Sequence, residues 1–155
     1  QLRPGSILTD HHQFKEIARF ALEKTMTEAL ANEIEFAISL YRGNYLEDLD
    51  YQWVTPVQEE LKNLSIELRK KLAVYYLKNK MYSRAMIHSY QLIGIEPYSE
   101  EVLRLLLTTL AEMGDQSALK KQYTAFSKTI LKELGLKPSS AIAAFYQKLC
   151  DINGF

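Results

Sequence analysis

Apolar residues recur along most of this chain at intervals of three and four, the period that gathers side chains on one side of an α-helix. Phe14, Ile17, Ala18 and Ala21 mark a first such face, entered at Asp10, which has the spacing of a capping pair with Gln13. Leu30, Ile34, Ala37, Ile38 and Tyr41 trace a second helix over about 27–42, with Gly43-Asn44 as its stop. The stretch from Tyr45 to Trp53 carries aromatics without a sustained period and reads as a packed loop. Pro56 suits the first turn of the next helix, which runs through Leu61, Leu64, Leu68, Leu72 and Tyr76 to Asn79-Lys80 and is predicted to be the longest.

Four further faces follow. Tyr82, Ala85, Met86 and Ile93 form one, closed by Gly94 and Pro97; Ser99 can cap the next, which places Leu103, Leu106, Leu107 and Leu110 together before Gly114. Asp115 can cap the sixth helix, with Leu119, Tyr123, Phe126, Ile130 and Leu134 before Gly135, and the seventh, after Pro138, carries Ile142, Phe145, Tyr146 and Leu149. No stretch alternates with the period of two that a half-buried strand requires. The chain is therefore predicted to be all-α, with about seven helices.

The helices also suggest a repeat. Tyr76, Ala85 and Pro97 have the relative spacing of the tetratricopeptide pattern's aromatic on one helix, small residue on its partner and proline at the exit, and Ala118 stands about 33 residues after Ala85. A small residue there lets the paired helices approach closely while larger residues fill the groove beside it. Arg69 stands where the pattern has an aromatic and Lys80 where it has a turn glycine. Tetratricopeptide-like antiparallel pairs in a right-handed superhelical bundle are the expected architecture; a plain helical bundle is the alternative.

Composition agrees with a helical domain: of 155 residues, 47% are hydrophobic and 25% charged, with six glycines and four prolines, enough to bury a core alone. Nineteen basic residues balance nineteen acidic ones, so any charge-driven binding has to come from a local patch. Acidic residues from Glu23 to Glu60 precede a basic cluster of Lys62, Arg69, Lys70, Lys71, Lys78, Lys80 and Arg84. That asymmetry suits packing between neighbouring domains or protomers, and equally two solvated faces; the basic cluster also invites contact with DNA phosphates. The single Cys150 lies at helical spacing from Tyr146 and reads as a structural thiol. Apolar runs such as Leu105–Leu107 are too short to span a bilayer, so no membrane association and a cytoplasmic location are expected.

For catalysis, the chain offers no glycine-rich phosphate loop, no nucleophile elbow and no paired acid and base. His11 and His12 adjoin Asp10, but adjacent residues at a helix start point apart, and His88 is isolated. A non-enzymatic chain with no cofactor and no metal is expected.

Several segments together resemble one family. Tyr41-Arg42-Gly43-Asn44-Tyr45-Leu46, Trp53-Val54-Thr55-Pro56 and Ile95-Glu96-Pro97-Tyr98-Ser99-Glu100-Glu101 occur in order, and the most specific is Leu131-Lys132-Glu133-Leu134-Gly135-Leu136-Lys137-Pro138-Ser139, preceded by Gln122-Tyr123. Over roughly Phe14 to Leu149 the chain is similar to the bacterial transcriptional activator domain of antibiotic-regulatory-protein-type transcription regulators. It departs from the family at Gln58, where an arginine is frequent, and in favouring Lys over Arg.

The resemblance implies a regulatory and oligomerisation domain that follows a winged-helix DNA-binding domain. Residues 1–10 are then expected to be the linker from an upstream domain absent from this chain, and 11–155 the tetratricopeptide-like domain. Implied partners are a second copy in a dimer, the attached DNA-binding domain and RNA polymerase, with DNA reached only through the upstream domain. The candidate interaction surface comprises Tyr45, Trp53, Arg69, Lys70, Tyr75, Tyr82, Arg84 and Tyr90, since tyrosines supply amphipathic contact area at low entropic cost. Core packing is the competing reading for each tyrosine. A stand-alone adaptor that captures a peptide in an aromatic groove, and a small-molecule sensor with an enclosed pocket, are the rival functions.

Overall fold

In a computed structural model, residues 4–41 and 55–152 are described, with side chains at 13–39 and 58–152. Among them the chain forms seven α-helices and no strand: α1 (Pro4–Leu22), α2 (Glu28–Tyr41), α3 (Thr55–Lys78), α4 (Tyr82–Ile95), α5 (Glu100–Met113), α6 (Gln116–Leu134) and α7 (Ser140–Ile152). The Gly43-Asn44 stop, the Tyr45–Trp53 loop and the side chains of His11 and His12 lie outside the described residues.

Most of the expected boundaries hold for the expected reasons. The Thr27 hydroxyl accepts from the Leu30 amide (3.1 Å) and opens α2. Ser99 accepts from Val102 (3.2 Å) before α5, and an Asp115 carboxylate oxygen accepts from Ala118 (3.0 Å) before α6. Gly114 (φ 74°) and Gly135 (φ 67°) close α5 and α6 in the left-handed conformation that glycine adopts without steric cost. α3 closes the same way without glycine: Lys80 takes φ 59°, while its amide reaches the Leu77 carbonyl and that of Met81 reaches Tyr76.

Two boundaries differ from expectation. α1 begins at Pro4, so Asp10 lies inside the helix rather than at its cap. Proline fits a first helical turn, and Ser6-Ile7-Leu8-Thr9 holds neither proline nor glycine to interrupt it. α4 runs through Gly94 to Ile95. Its stop is set by Pro97, whose ring disfavours helical backbone in the residue before it, and Glu96 is accordingly non-helical at φ −124° and ψ 73°.

The chain packs as two units, Gln1–Leu72 and Ala73–Phe155, divided within α3. In the first, α1 lies against α2, and several buried positions are alanine: Ala18, Ala21, Ala31 and Ala37, beside Phe14, Ile34 and Ile38. Alanine on facing ridges permits close helix approach. In the second, α5 is the hub, packing against α4, α6 and α7. Leu103, Leu106, Leu107 and Leu110 are buried there with Leu119, Phe126 and Ile130 from α6 and Ile142 and Cys150 from α7. Each fully buried leucine contributes roughly 2 kcal/mol of transfer free energy. The buried hydroxyls of Ser89 and Thr109 donate to the carbonyls four residues back, Ala85 and Leu105, so neither interrupts the core.

Candidate functional site

The candidate surface residues fall into different environments. Tyr45 and Trp53 lie outside the described residues. In the first unit Arg69 is 7% exposed, which removes it from an accessible surface: it sits on the α3 face that also buries Leu61, Leu68 and Leu72. Lys70, half-buried, lies 3.6 Å from Glu67 one turn earlier. Other basic groups of this unit work internally. Lys15 (3.0 Å) and Arg19 (2.6 Å) from α1 both hold Glu60 of α3. The hydrogen bond from Lys15, followed by the positive charge of both partners, keeps the Glu60 carboxyl below its ordinary range despite some desolvation. Lys71 donates from Nζ to the carbonyls of Leu22 (3.3 Å) and Lys24 (2.7 Å), tying α3 to the end of α1.

In the second unit the structure gathers Tyr75 and Arg84 around the buried Tyr76. The two tyrosine rings are 5.7 Å apart at 58°, the Arg84 guanidinium lies 5.7 Å from the Tyr76 ring, and the His88 ring stacks with Tyr76 at 5.9 Å and 19°. His88 is 4% exposed. Tyr82 points instead to α5, where its hydroxyl bonds Glu112 (3.3 Å); desolvation, then the nearby carboxylate, raises its pKa. Tyr90 stands apart, exposed on the outer face of α4 with Ile87. Tyr75 and Tyr82 are half-buried.

Two of the motif segments meet. Glu100, at the start of α5, accepts from both the amide (2.9 Å) and the hydroxyl of Ser139, and the same hydroxyl accepts from Ile142 to cap α7. The hinge between α6 and α7 is therefore fastened to the helix that organises the core. Tyr123 of α6 and Tyr146 of α7 stack at 4.0 Å, and burial, together with the neighbouring Cys150, pushes the Tyr146 hydroxyl up to about 12. Arg104 of α5 lies 4.4 Å from the Phe145 ring of α7. Leu131, Leu134 and Leu136 of the same motif are exposed.

Sequence reasoning passed over one feature. On α6, Lys120, Lys121, Lys128 and Lys132 are exposed, with Thr124 and Ala125 between them, opposite the buried Leu119, Phe126 and Ile130. A shallow cavity of about 400 Å³ lies against Lys120, Lys121, Thr124, Ala125 and Lys128. Separations of seven and eleven residues from Lys121 to Lys128 and Lys132 carry this pattern in the sequence, at a lower density than the basic cluster from Lys62 to Arg84. Among the described residues no three His, Cys, Asp or Glu side chains are grouped as metal ligands would be, and no helix is long and apolar enough to cross a membrane.

The family model of the bacterial transcriptional activator domain matches residues 9–150. No curated protein and no solved structure matches the chain.

Proposed function

Because the chain belongs to the bacterial transcriptional activator domain family, whose model spans residues 9–150, we propose that it is the regulatory part of a bacterial transcription regulator, acting through protein contacts rather than through catalysis. The family match is the observation that carries this reading. Residues 1–10 then connect to an upstream winged-helix DNA-binding domain, and 11–155 regulate it, in the cytoplasm and as a dimer. The mechanism is linkage: a contact made better in one domain arrangement than in another shifts DNA affinity by that difference in free energy. The exposed Tyr90 and Arg84 of α4, with Tyr75 and Tyr82, form the described part of the interaction surface in the second unit, and Lys70 is the candidate in the first; RNA polymerase is a further partner in this reading.

The peptide-adaptor alternative has less support, since Tyr75 and Tyr82 are partly turned into packing contacts. Intact mass and N-terminal sequencing of the native polypeptide from its source cells decide between the two. A longer product that opens with a basic winged-helix segment is expected. A native product of about this length would overturn the regulator reading and favour the adaptor.

A further inference from the structure

We infer that the lysine face of α6 is a docking surface for the phosphate backbone of duplex DNA. The inference rests on the regulator reading, and adds to it a direct DNA contact by this chain. Lys120, Lys121, Lys128 and Lys132 share the solvent side of one helix. None of Lys121, Lys128 and Lys132 has an acidic residue three or four positions away, so for these three the helix itself supplies no charge partner. Lys128 and Lys132, one turn apart, repel each other, a cost that a polyanion would convert into attraction.

The charge is local. Residues 1–72 hold nine basic and twelve acidic residues, whereas 73–155 hold ten basic and seven acidic, with four of those ten on α6 against the single Glu133. In the first unit Lys15, Arg19, Lys70 and Lys71 meet carboxylates or carbonyls of their own unit.

The make-up of the face chooses the kind of partner. Protein interfaces are built on aromatic residues and arginine and are depleted in lysine. Here the cavity is lined by three lysines, Thr124 and Ala125, with no aromatic anchor. Lysine is a compact point charge suited to phosphate oxygens, a threonine hydroxyl adds a neutral donor, and alanine permits close approach. Lys120 to Lys132 covers about 18 Å of helix axis, a length over which a duplex presents on the order of ten phosphate charges. No base-reading side chain is placed there, so the contact is sequence-independent and anchors whatever reads the site.

Fluorescence anisotropy with the chain and a labelled 20-base-pair duplex of arbitrary sequence tests this, at several salt concentrations. Binding at roughly 1–100 µM is expected near physiological salt, tighter below it. The triple substitution Lys121→Gln, Lys128→Gln, Lys132→Gln should weaken binding at least about tenfold at low salt and reduce the slope of log affinity against log salt by about 3. Glutamine is a good helix former, and circular dichroism confirms that the helices persist. The charge-matched control Lys62→Gln, Lys78→Gln, Lys148→Gln should retain most of the affinity.

Absence of DNA binding by the unaltered chain, or equal loss in the control, overturns the proposal. Tighter binding to a polyglutamate peptide than to the duplex, lost in the α6 variant, also overturns it and assigns the face to an acidic protein segment. Each of these outcomes leaves the regulator reading intact, because that reading is decided by the length of the native product.

Discussion

The two units are both helical but are held together differently. In the first, small side chains bring α1 and α2 together, and charged groups reach across helices: Lys15 and Arg19 to Glu60, Lys71 to the carbonyls after α1. In the second, the leucine face of α5 gathers α4, α6 and α7, while the lysines of α6 face solvent. A region whose core is rich in alanine buries less apolar surface per residue, and side-chain bonds to neighbouring helices become a larger share of its cohesion. A region with a leucine hub draws most of its cohesion from apolar burial.

This contrast can be broken experimentally. The largest effect should come from Leu106→Ala or Leu107→Ala at the hub, which removes a fully buried side chain and should cost about 3–5 kcal/mol in urea unfolding. A loss below about 1 kcal/mol would mean that α5 does not organise its unit. Next is Gly114→Ala, where φ 74° has to be kept by a residue with a Cβ although nothing crowds the added carbon; a loss of about 1–2 kcal/mol is expected. Its mirror is Lys80→Gly, which places glycine at φ 59° at the end of α3 and should raise stability by about 0.5–1 kcal/mol, read as a higher urea midpoint.

The smallest effects separate the units by pH. Glu60 has a lowered folded pKa, so its contribution is present above the ordinary value of 4.5 and is lost as pH falls through the folded value. The protection of α1 amides relative to free-peptide exchange should therefore fall below about pH 4.5, and Glu60→Gln should remove part of that dependence. Tyr146 has the opposite sign: raised from 10 to about 12, its contribution is present below pH 10 and is lost as pH rises toward 12. The protection of α7 amides relative to free-peptide exchange should fall across that range, and Tyr146→Phe should flatten that fall. Identical responses of α1 and α7 in both windows would erase the distinction.

The helices were legible because each carries its own local instructions. Ser99 and Asp115 cap, Gly114 and Gly135 stop, and the three-and-four spacing of Leu103, Leu106, Leu107 and Leu110 marks a buried face, all within a turn or two of sequence. For α4 the same local logic names Gly94 and Pro97 together as the stop, but the helix runs through Gly94 and only Pro97, acting through the residue before it, ends it. It also misjudged α1, where a cap at Asp10 was read although helix already precedes it. The candidate surface was harder to read. Spacing shows that Tyr75, Tyr82, Tyr90 and Arg69 lie on helices, but not which face finds a neighbour.

Legible in the sequence alone were the helical class, the seven helices found among the described residues, the family and most helix ends, because backbone capping and amphipathic period act between residues close along the chain. Tertiary structure alone decided that Arg69 is buried while Tyr90 is exposed, that Glu60 joins Lys15 to Arg19, and that Glu100 fastens Ser139. These outcomes join residues about forty positions apart, or depend on which side of a helix meets another. Burial and pairing of this kind are properties of packed neighbours, and the neighbours exist only once the helices have come together.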